Sequence, residues 1–169
     1  MSVDLPREGD VIISPSARLL VSRVSGSGGS QSGFILRKLV TTQTGAGYTA
    51  DVPEIARYCQ RGGKPAISFD ERWMVYHHYV EAGDWAKLGY TSANDAGFLE
   101  LRDAQTGGAA NIFLLDLVTG NVRRITTMQS GQYALYPHFR SDGWIYFIVR
   151  DRNRDREWMV ASDAALALE

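Results

Sequence analysis

The 169-residue chain has one cysteine, Cys59, and almost no net charge. One thiol closes no internal disulfide and builds no cysteine-based zinc site. The formal charge is −1, from 18 Lys and Arg against 19 Asp and Glu. That balance leaves no basic footprint, which argues against a dedicated nucleic-acid binder or a ligand of anionic membranes. Long apolar runs are missing as well. The richest, Ile112–Val118, is short and interrupted by Asp116, whereas a spanning helix needs about 20 apolar residues; no membrane insertion is expected. Residues 1–10 are polar, with Pro6, Arg7, Glu8 and Asp10, and hold no apolar core of a secretory signal. The chain is therefore either cytoplasmic or a mature or trimmed piece of an exported protein.

Aromatic residues are plentiful: 4 Trp, 8 Tyr and 6 Phe, within a 44% apolar composition. They supply a core large enough to exclude intrinsic disorder. Short β-branched and aromatic runs dominate the pattern, at Val11–Ile13, Leu19–Val24, Phe34–Val40, Trp73–Val80, Ile112–Val118, Val122–Thr126, Trp144–Val149 and Trp158–Ala161. Such runs read as strands. Turn residues separate them: Ser14-Pro15-Ser16, Thr119-Gly120-Asn121 and Ser141-Asp142-Gly143. Only two segments suggest helix, Asp51–Tyr58, with a cap at Asp51 and Pro53 behind it, and the Ala-rich tail Asp163–Leu168. Neither is long enough to cover a parallel sheet, so the chain reads as antiparallel β. The Gly/Ser stretch Ser25–Gly33 reads as a flexible tip. Two long insertions, residues 41–63 and 81–108, are where binding is expected.

An internal repeat organises the rest. Ile13-Ser14-Pro15-Ser16-Ala17-Arg18-Leu19 aligns with Ile67-Ser68-Phe69-Asp70-Glu71-Arg72-Trp73, and with Phe139-Arg140-Ser141-Asp142-Gly143-Trp144, one residue shorter. Pro65 and Pro137 stand at the same offset before the last two. Each unit is a short strand, a tight polar turn and a longer apolar strand. Asn111–Leu117, Thr119-Gly120-Asn121 and Val122–Thr126 form a further hairpin. Two hairpins make a four-stranded blade.

At these residues the chain resembles the TolB-like β-propeller family, whose repeat runs roughly P-x-[WF]-S-P-D-G, then an apolar strand, then I-[YW]-[LV]-M-D-x-x-[TG]-G-x-x-x-R-[LI]-T. Pro137–Phe147 and Ile112–Thr126 match well, Pro65–Tyr76 less so, and Arg150–Asp163 resembles the family's link from second to third strand. The resemblance implies one all-β domain over residues 1–169, a partial or oligomer-completed β-propeller. It would hold about three four-stranded antiparallel blades starting near residues 11, 65 and 137, with short helices in its long loops. Propellers typically have four to eight blades, so three starts imply a fragment, a ring closed by a second copy, or a degenerate further blade. Residues 164–168 or 3–5 are candidates to complete a neighbouring blade. The resemblance also implies a bacterial, periplasmic or other extracytoplasmic setting.

Candidate site residues follow. His77 and His78 are adjacent on a strand and point to opposite faces. His138 lies on an inner strand and could meet one of them near the channel, where Asp70 or Asp142 would complete a transition-metal set; otherwise it is a hydrogen-bonded strand residue. Asp151, Asn153 and Asp155 alternate as calcium ligands do, but Arg156 stands where a calcium loop needs glycine, so an exposed hairpin is the plainer reading. Gly45-Ala46-Gly47-Tyr48-Thr49-Ala50 lacks the long helix a dinucleotide fingerprint requires. No nucleophile elbow is present, and Cys59 reads as a small buried apolar residue. Trp85, Tyr90 and Phe98, in the second insertion, are either anchors for a partner or plugs that fold back on the sheet. The leading expectation is a non-enzymatic protein or peptide interaction module without a cofactor. The alternative is a metal-assisted hydrolase or lyase acting on a polysaccharide or peptide.

Overall fold

The computed structural model describes residues 8–24, 32–103, 105 and 107–168; the Gly/Ser tip, for residues 25–31, and the segment 3–5 lie outside these. Among the described residues the regular secondary structure is almost wholly strand. The first blade is the meander Glu8–Ile13 (β1), Leu19–Val24 (β2) and Gly33–Lys38 (β3), closed by a later strand. Between them stands a separate hairpin, Val40–Thr44 (β4) and Gly47–Asp51 (β5), and the closing strand is Glu54–Tyr58 (β6). The second blade is Gly63–Ile67 (β7), Trp73–Tyr79 (β8), Ala110–Asp116 (β9) and Val122–Arg124 (β10), with the helix Ala96–Arg102 (α1) in the β8–β9 connection. The third is Gln132–Phe139 (β11), Ile145–Asp151 (β12) and Arg156–Ser162 (β13), followed by a 3-10 turn at Leu166–Leu168. One parallel bridge, Tyr133 to Ala110, joins the second and third blades into a continuous sheet; every other pairing is antiparallel.

The middle blade accounts for the packing. Strand residues alternate in direction, and both faces of β8 and β9 are covered, so the two strands are apolar almost throughout. One face sends Trp73, Val75, Ile112 and Leu114 against Phe139, Ile145, Phe147 and Val149 of the third blade. The other sends Met74, Tyr76, Phe113 and Leu115 against Val21, Phe34, Leu36 and Tyr58 of the first. Phe34 and Phe113 flank the Tyr76 ring, at 5.0 and 5.7 Å between centroids. Each large side chain buried this way contributes about 1.5–3 kcal/mol. The Tyr58 hydroxyl donates to the Leu117 carbonyl at 2.6 Å and ties the first blade's outer strand to the second.

The internal repeat is a repeat of backbone geometry. In the three first-to-second-strand turns, Ser16 Oγ, Asp70 Oδ1 and Asp142 Oδ1 accept from the amides of Arg18, Arg72 and Trp144. The next position is left-handed in each: Ala17 at φ 57°, Glu71 at 60° and Gly143 at 84°. The turn closes from Ser14 to Leu19 and from Ser68 to Trp73, but from Arg140 to Trp144, so the third is one residue shorter, as aligned. Each inner strand also carries a bulge, between Gly9 and Ile12, Gly63 and Ala66, and Leu135 and His138. Its pivots, Asp10, Lys64 and Tyr136, lie at φ 47°, 51° and 54°. Pro65 and Pro137 follow two of these pivots, where a missing N–H breaks no ladder bond. β1 packs beside β7, and β11 beside β7 and β8. The three inner strands thus gather around one axis, and the architecture is a partial β-propeller.

Three expectations are corrected. Residues 54–58, expected in a helix, form β6 and complete the first blade, because Phe34 and Leu36 of β3 need a neighbour on that side. Among the described residues the third blade has three strands rather than four: Ala165 turns into the core beside Trp73 and Phe139 instead of returning along β13. Cys59 is exposed, not buried.

Tyr76 tests the core account. Its hydroxyl is buried and has no hydrogen-bond partner, an arrangement that costs about 1–3 kcal/mol. Tyr76→Phe is expected to raise unfolding free energy in urea by about 1 kcal/mol; a loss of stability would mean that the hydroxyl is satisfied.

Candidate functional site

The bulges that define the axis also build its opening. There the chain leaves a cleft of about 680 Å³, to which all three blades contribute. Asp10 comes from the first blade, Lys64 and His77 from the second and Tyr136 from the third. Three of these four are the left-handed bulge residues, which β-pleating alone would have turned elsewhere.

Asp10 is the electrostatic centre. Its Oδ1 accepts from Lys64 Nζ at 2.7 Å, and Arg23 Nε lies 3.0 Å from Oδ2. The Arg23 contact is an ion pair by distance, but Nε is not aligned on an acceptor. Burial would raise the Asp10 carboxyl; the Lys64 bonds and the charges of Arg23 and Lys64 outweigh it and hold the group below the usual carboxylate range. Arg61 and Glu81 form a second ion pair on the rim. Among the described residues the lining therefore carries three cations, Arg23, Arg61 and Lys64, against two acids.

His77 sits behind this network, 7% exposed. The Tyr136 amide donates to its Nδ1 at 3.3 Å. Burial pushes its pKa down to about 4; the Asp10 charge opposes the fall, while Lys64, His78 and Arg23 add to it. The ring is neutral at pH 7, and with Nδ1 accepting, its proton lies on Nε2. Tyr79 and Tyr136 meet the ring edge-on, each at 5.6 Å, and both are about half exposed, at 49% and 47%.

His78 points the other way, as strand alternation requires. It forms a 2.7 Å contact from Nε2 to Asp84, which also accepts from the Glu81 amide. Burial would raise the Asp84 carboxyl, but the His78 bond leads a set of contacts that lowers it. This pair holds the start of the second insertion against the sheet.

The remaining candidates do not converge on the axis. His138 is exposed and stacks on Tyr146 at 6.0 Å, because the bulge at Tyr136 shifts the side-chain alternation before it. Among the described residues no group of three metal-ligating side chains comes together. Asp151 is buried, and its Oδ1 accepts from the amides of Asn153 and Arg154, while Oδ2 accepts from Gln132 and Arg154. The Asn153 side chain donates to the Ser130 carbonyl, and Asp155 is a left-handed turn residue at φ 50°. These oxygens close a hairpin. Gly45 and Gly47 lie at the exposed turn of β4–β5, with no helix behind them. Phe98 of α1 is fully buried with Tyr90 packed on it at 5.5 Å, and Trp85 is half-buried. The insertion thus folds back on itself, and none of its three aromatics lines the axial cleft. Among the described residues no helix is long and apolar enough to cross a membrane.

Fold and cleft together define a three-bladed partial β-propeller with a polar, aromatic-rimmed axial opening. No protein-family model and no curated protein matches the chain. Among solved structures it is similar to the tricorn protease, at 16% identity and a TM-score of 0.49, over 89% of this chain and 12% of that one. It is similar to the β-propeller domain of the Trilobed protease from Pyrococcus furiosus, at 10% identity and a TM-score of 0.39, over 92% of this chain and 42% of that one. It is also similar to TolB from Acinetobacter baumannii, at 15% identity and a TM-score of 0.30, over 88% of this chain and 42% of that one. The chain therefore spans less than half the length of each.

The neutral buried imidazole has a consequence for stability. In the unfolded chain His77 titrates near the ordinary imidazole value of 6.5, and in the fold near 4. As pH falls through that window the unfolded state takes up a proton that the fold refuses, so stability drops. The loss from this group is about 3 kcal/mol by pH 4. Urea unfolding between pH 7 and pH 4 is expected to show a smaller loss for His77→Gln than for the parent; equal slopes would show that the folded imidazole titrates normally.

Proposed function

We propose that the protein is a non-enzymatic protein- or peptide-recognition module, with the axial cleft as its contact surface. The observation that carries the reading is the composition of that opening. Two half-exposed tyrosines, Tyr79 and Tyr136, flank hydrogen-bonding and charged groups contributed by three separate blades. Rigid aromatics beside a few fixed polar groups are what recognition surfaces use, since they bury area at little entropic cost. Of the candidate metal-ligating groups, His77 stands uncommitted at the cleft while the others are engaged: His78 with Asp84, His138 with Tyr146 and Asp151 in its hairpin.

The reading extends to a second copy of the chain as a further partner. β13 pairs with β12 along all seven residues, yet no described strand pairs with its other side. Trp158 and Met159 are 42% and 64% exposed along it. An edge of that length without proline, lysine or bulge invites pairing. Another copy completing the ring would cover it.

Two measurements check these readings. Affinity selection from a mixed-sequence hexapeptide library is expected to enrich peptides whose binding falls at least about tenfold in Tyr79→Ser/Tyr136→Ser. Turnover of any selected peptide by the purified protein would contradict the reading. Sedimentation equilibrium is expected to give twice the 18.7 kDa chain mass; a monomer at every concentration would contradict ring closure by a second copy.

A further inference from the structure

The recognition reading leaves open what chemistry the cleft selects, and four observations bear on it. The first is an unused donor. His77 is more than nine-tenths buried, its Nδ1 is occupied by the Tyr136 amide, and its Nε2 has no hydrogen-bond partner among the described residues. The second is where that nitrogen points. A methyl built on Gly63, which lines the cleft, would lie 3.8 Å from His77 Nε2 and 3.2 Å from Asp10 Oδ2. His77 Nε2 therefore borders the Gly63 side of the cleft, where the inner strand has no side chain of its own and the imidazole shares the space with Asp10 Oδ2 and the Arg23 side chain.

The third observation is charge. Both acids of the lining are already engaged, Asp10 by Lys64 and Arg23 and Glu81 by Arg61. Among the described lining residues, three cations against two acids leave one positive charge over. The fourth is Arg23 Nε, a buried donor with no aligned acceptor beside the same carboxylate. With one cation in excess among the described lining residues, a buried Arg23 N–H without an aligned acceptor and a His77 N–H without a protein partner, the cleft suits an anionic acceptor. A buried donor left without one is costly, and an ionised acceptor repays it most strongly.

We propose that the axial cleft binds a carboxylate of an extended peptide, held by His77 Nε2–H with Lys64 and Arg23, while Tyr79 and Tyr136 receive the residues beside it. The inference rests on the peptide-recognition reading above. Planarity favours a carboxylate, whose two oxygens reach His77 and the cationic side together. The carboxylate comes either from the peptide's own C-terminus or from an acidic side chain, and the chemistry at His77 is the same for both.

The test uses one hexapeptide library in three forms: acid-free with an amidated terminus, acid-free with a free terminus, and amidated with a single Glu. Affinity selection on the full chain, read by mass spectrometry, is expected to enrich at least one carboxylate form about tenfold over the neutral amide. Which form is enriched names the source. His77→Phe removes the donor, and Gly63→Ala fills the space in front of it while leaving His77 in place; each is expected to abolish the preference. A folded Gly63→Ala protein, checked by thermal melt, decides the matter if His77→Phe does not fold. Equal enrichment of the three forms overturns the carboxylate inference and leaves the recognition reading standing. Enrichment of no form overturns both. A preference that survives in Gly63→Ala places the carboxylate elsewhere and overturns the assignment to His77.

Discussion

A β-sheet has two faces, and the second blade buries both. Trp73–His78 and Ala110–Asp116 are buried at every position, alternately toward the third blade and toward the first. This double burial is the constraint on which the rest depends. It fixes the first and third blades on opposite sides of one sheet and so sets the direction in which further blades would continue. It also requires unbroken apolar runs where a surface strand would alternate. The two polar residues inside the β9 run are held: Asn111 Oδ1 accepts from the Met128 amide and the Thr126 hydroxyl. Asp116 Oδ1 accepts from Val118 and Thr119, and its Oδ2 from Arg72.

The axial cleft follows from the same arrangement. Wedges packed face to face bring their inner strands together at one line, and three equivalent bulges bend those strands there. A non-glycine residue in the left-handed region costs about 1–2 kcal/mol. The fold accepts that cost at Asp10, Lys64 and Tyr136 alike, which marks it as a property of the blade. What differs is the side chain mounted on each pivot: an acid, a cation and a phenol. The scaffold repeats and the chemistry does not, so selectivity lives in those positions.

The blades were legible in the sequence for a physical reason. Ser16, Asp70 and Asp142 each cap a turn that only a short polar side chain can cap, and such turns leave a fixed mark. The run from Ile112 to Leu115 reads as buried on both faces because nothing polar interrupts it. Residues 54–58 were not legible, since a five-residue segment with Pro53 before it takes its conformation from the partner strand β3 rather than from local preference. The β4–β5 hairpin went unseen because its Gly-rich turn resembles other loops and its strands are exposed. His138 failed for a different reason: a bulge changes which face the following residues occupy, and the two-residue alternation carries no trace of it. The axial cluster was within reach of the alignment itself. Asp10, Lys64 and Tyr136 stand at one offset, four residues before Ser14, Ser68 and Arg140.

The central claim is that the second blade is the buried wedge between two half-covered neighbours. Hydrogen exchange measured amide by amide tests it most directly. Amides of Trp73–Tyr79 and Ala110–Asp116 should exchange slowest, through global unfolding, while those of Arg156–Ser162 that face away from β12 should exchange orders of magnitude faster. Equal protection across all three blades, or faster exchange in the second than in the first, would contradict it.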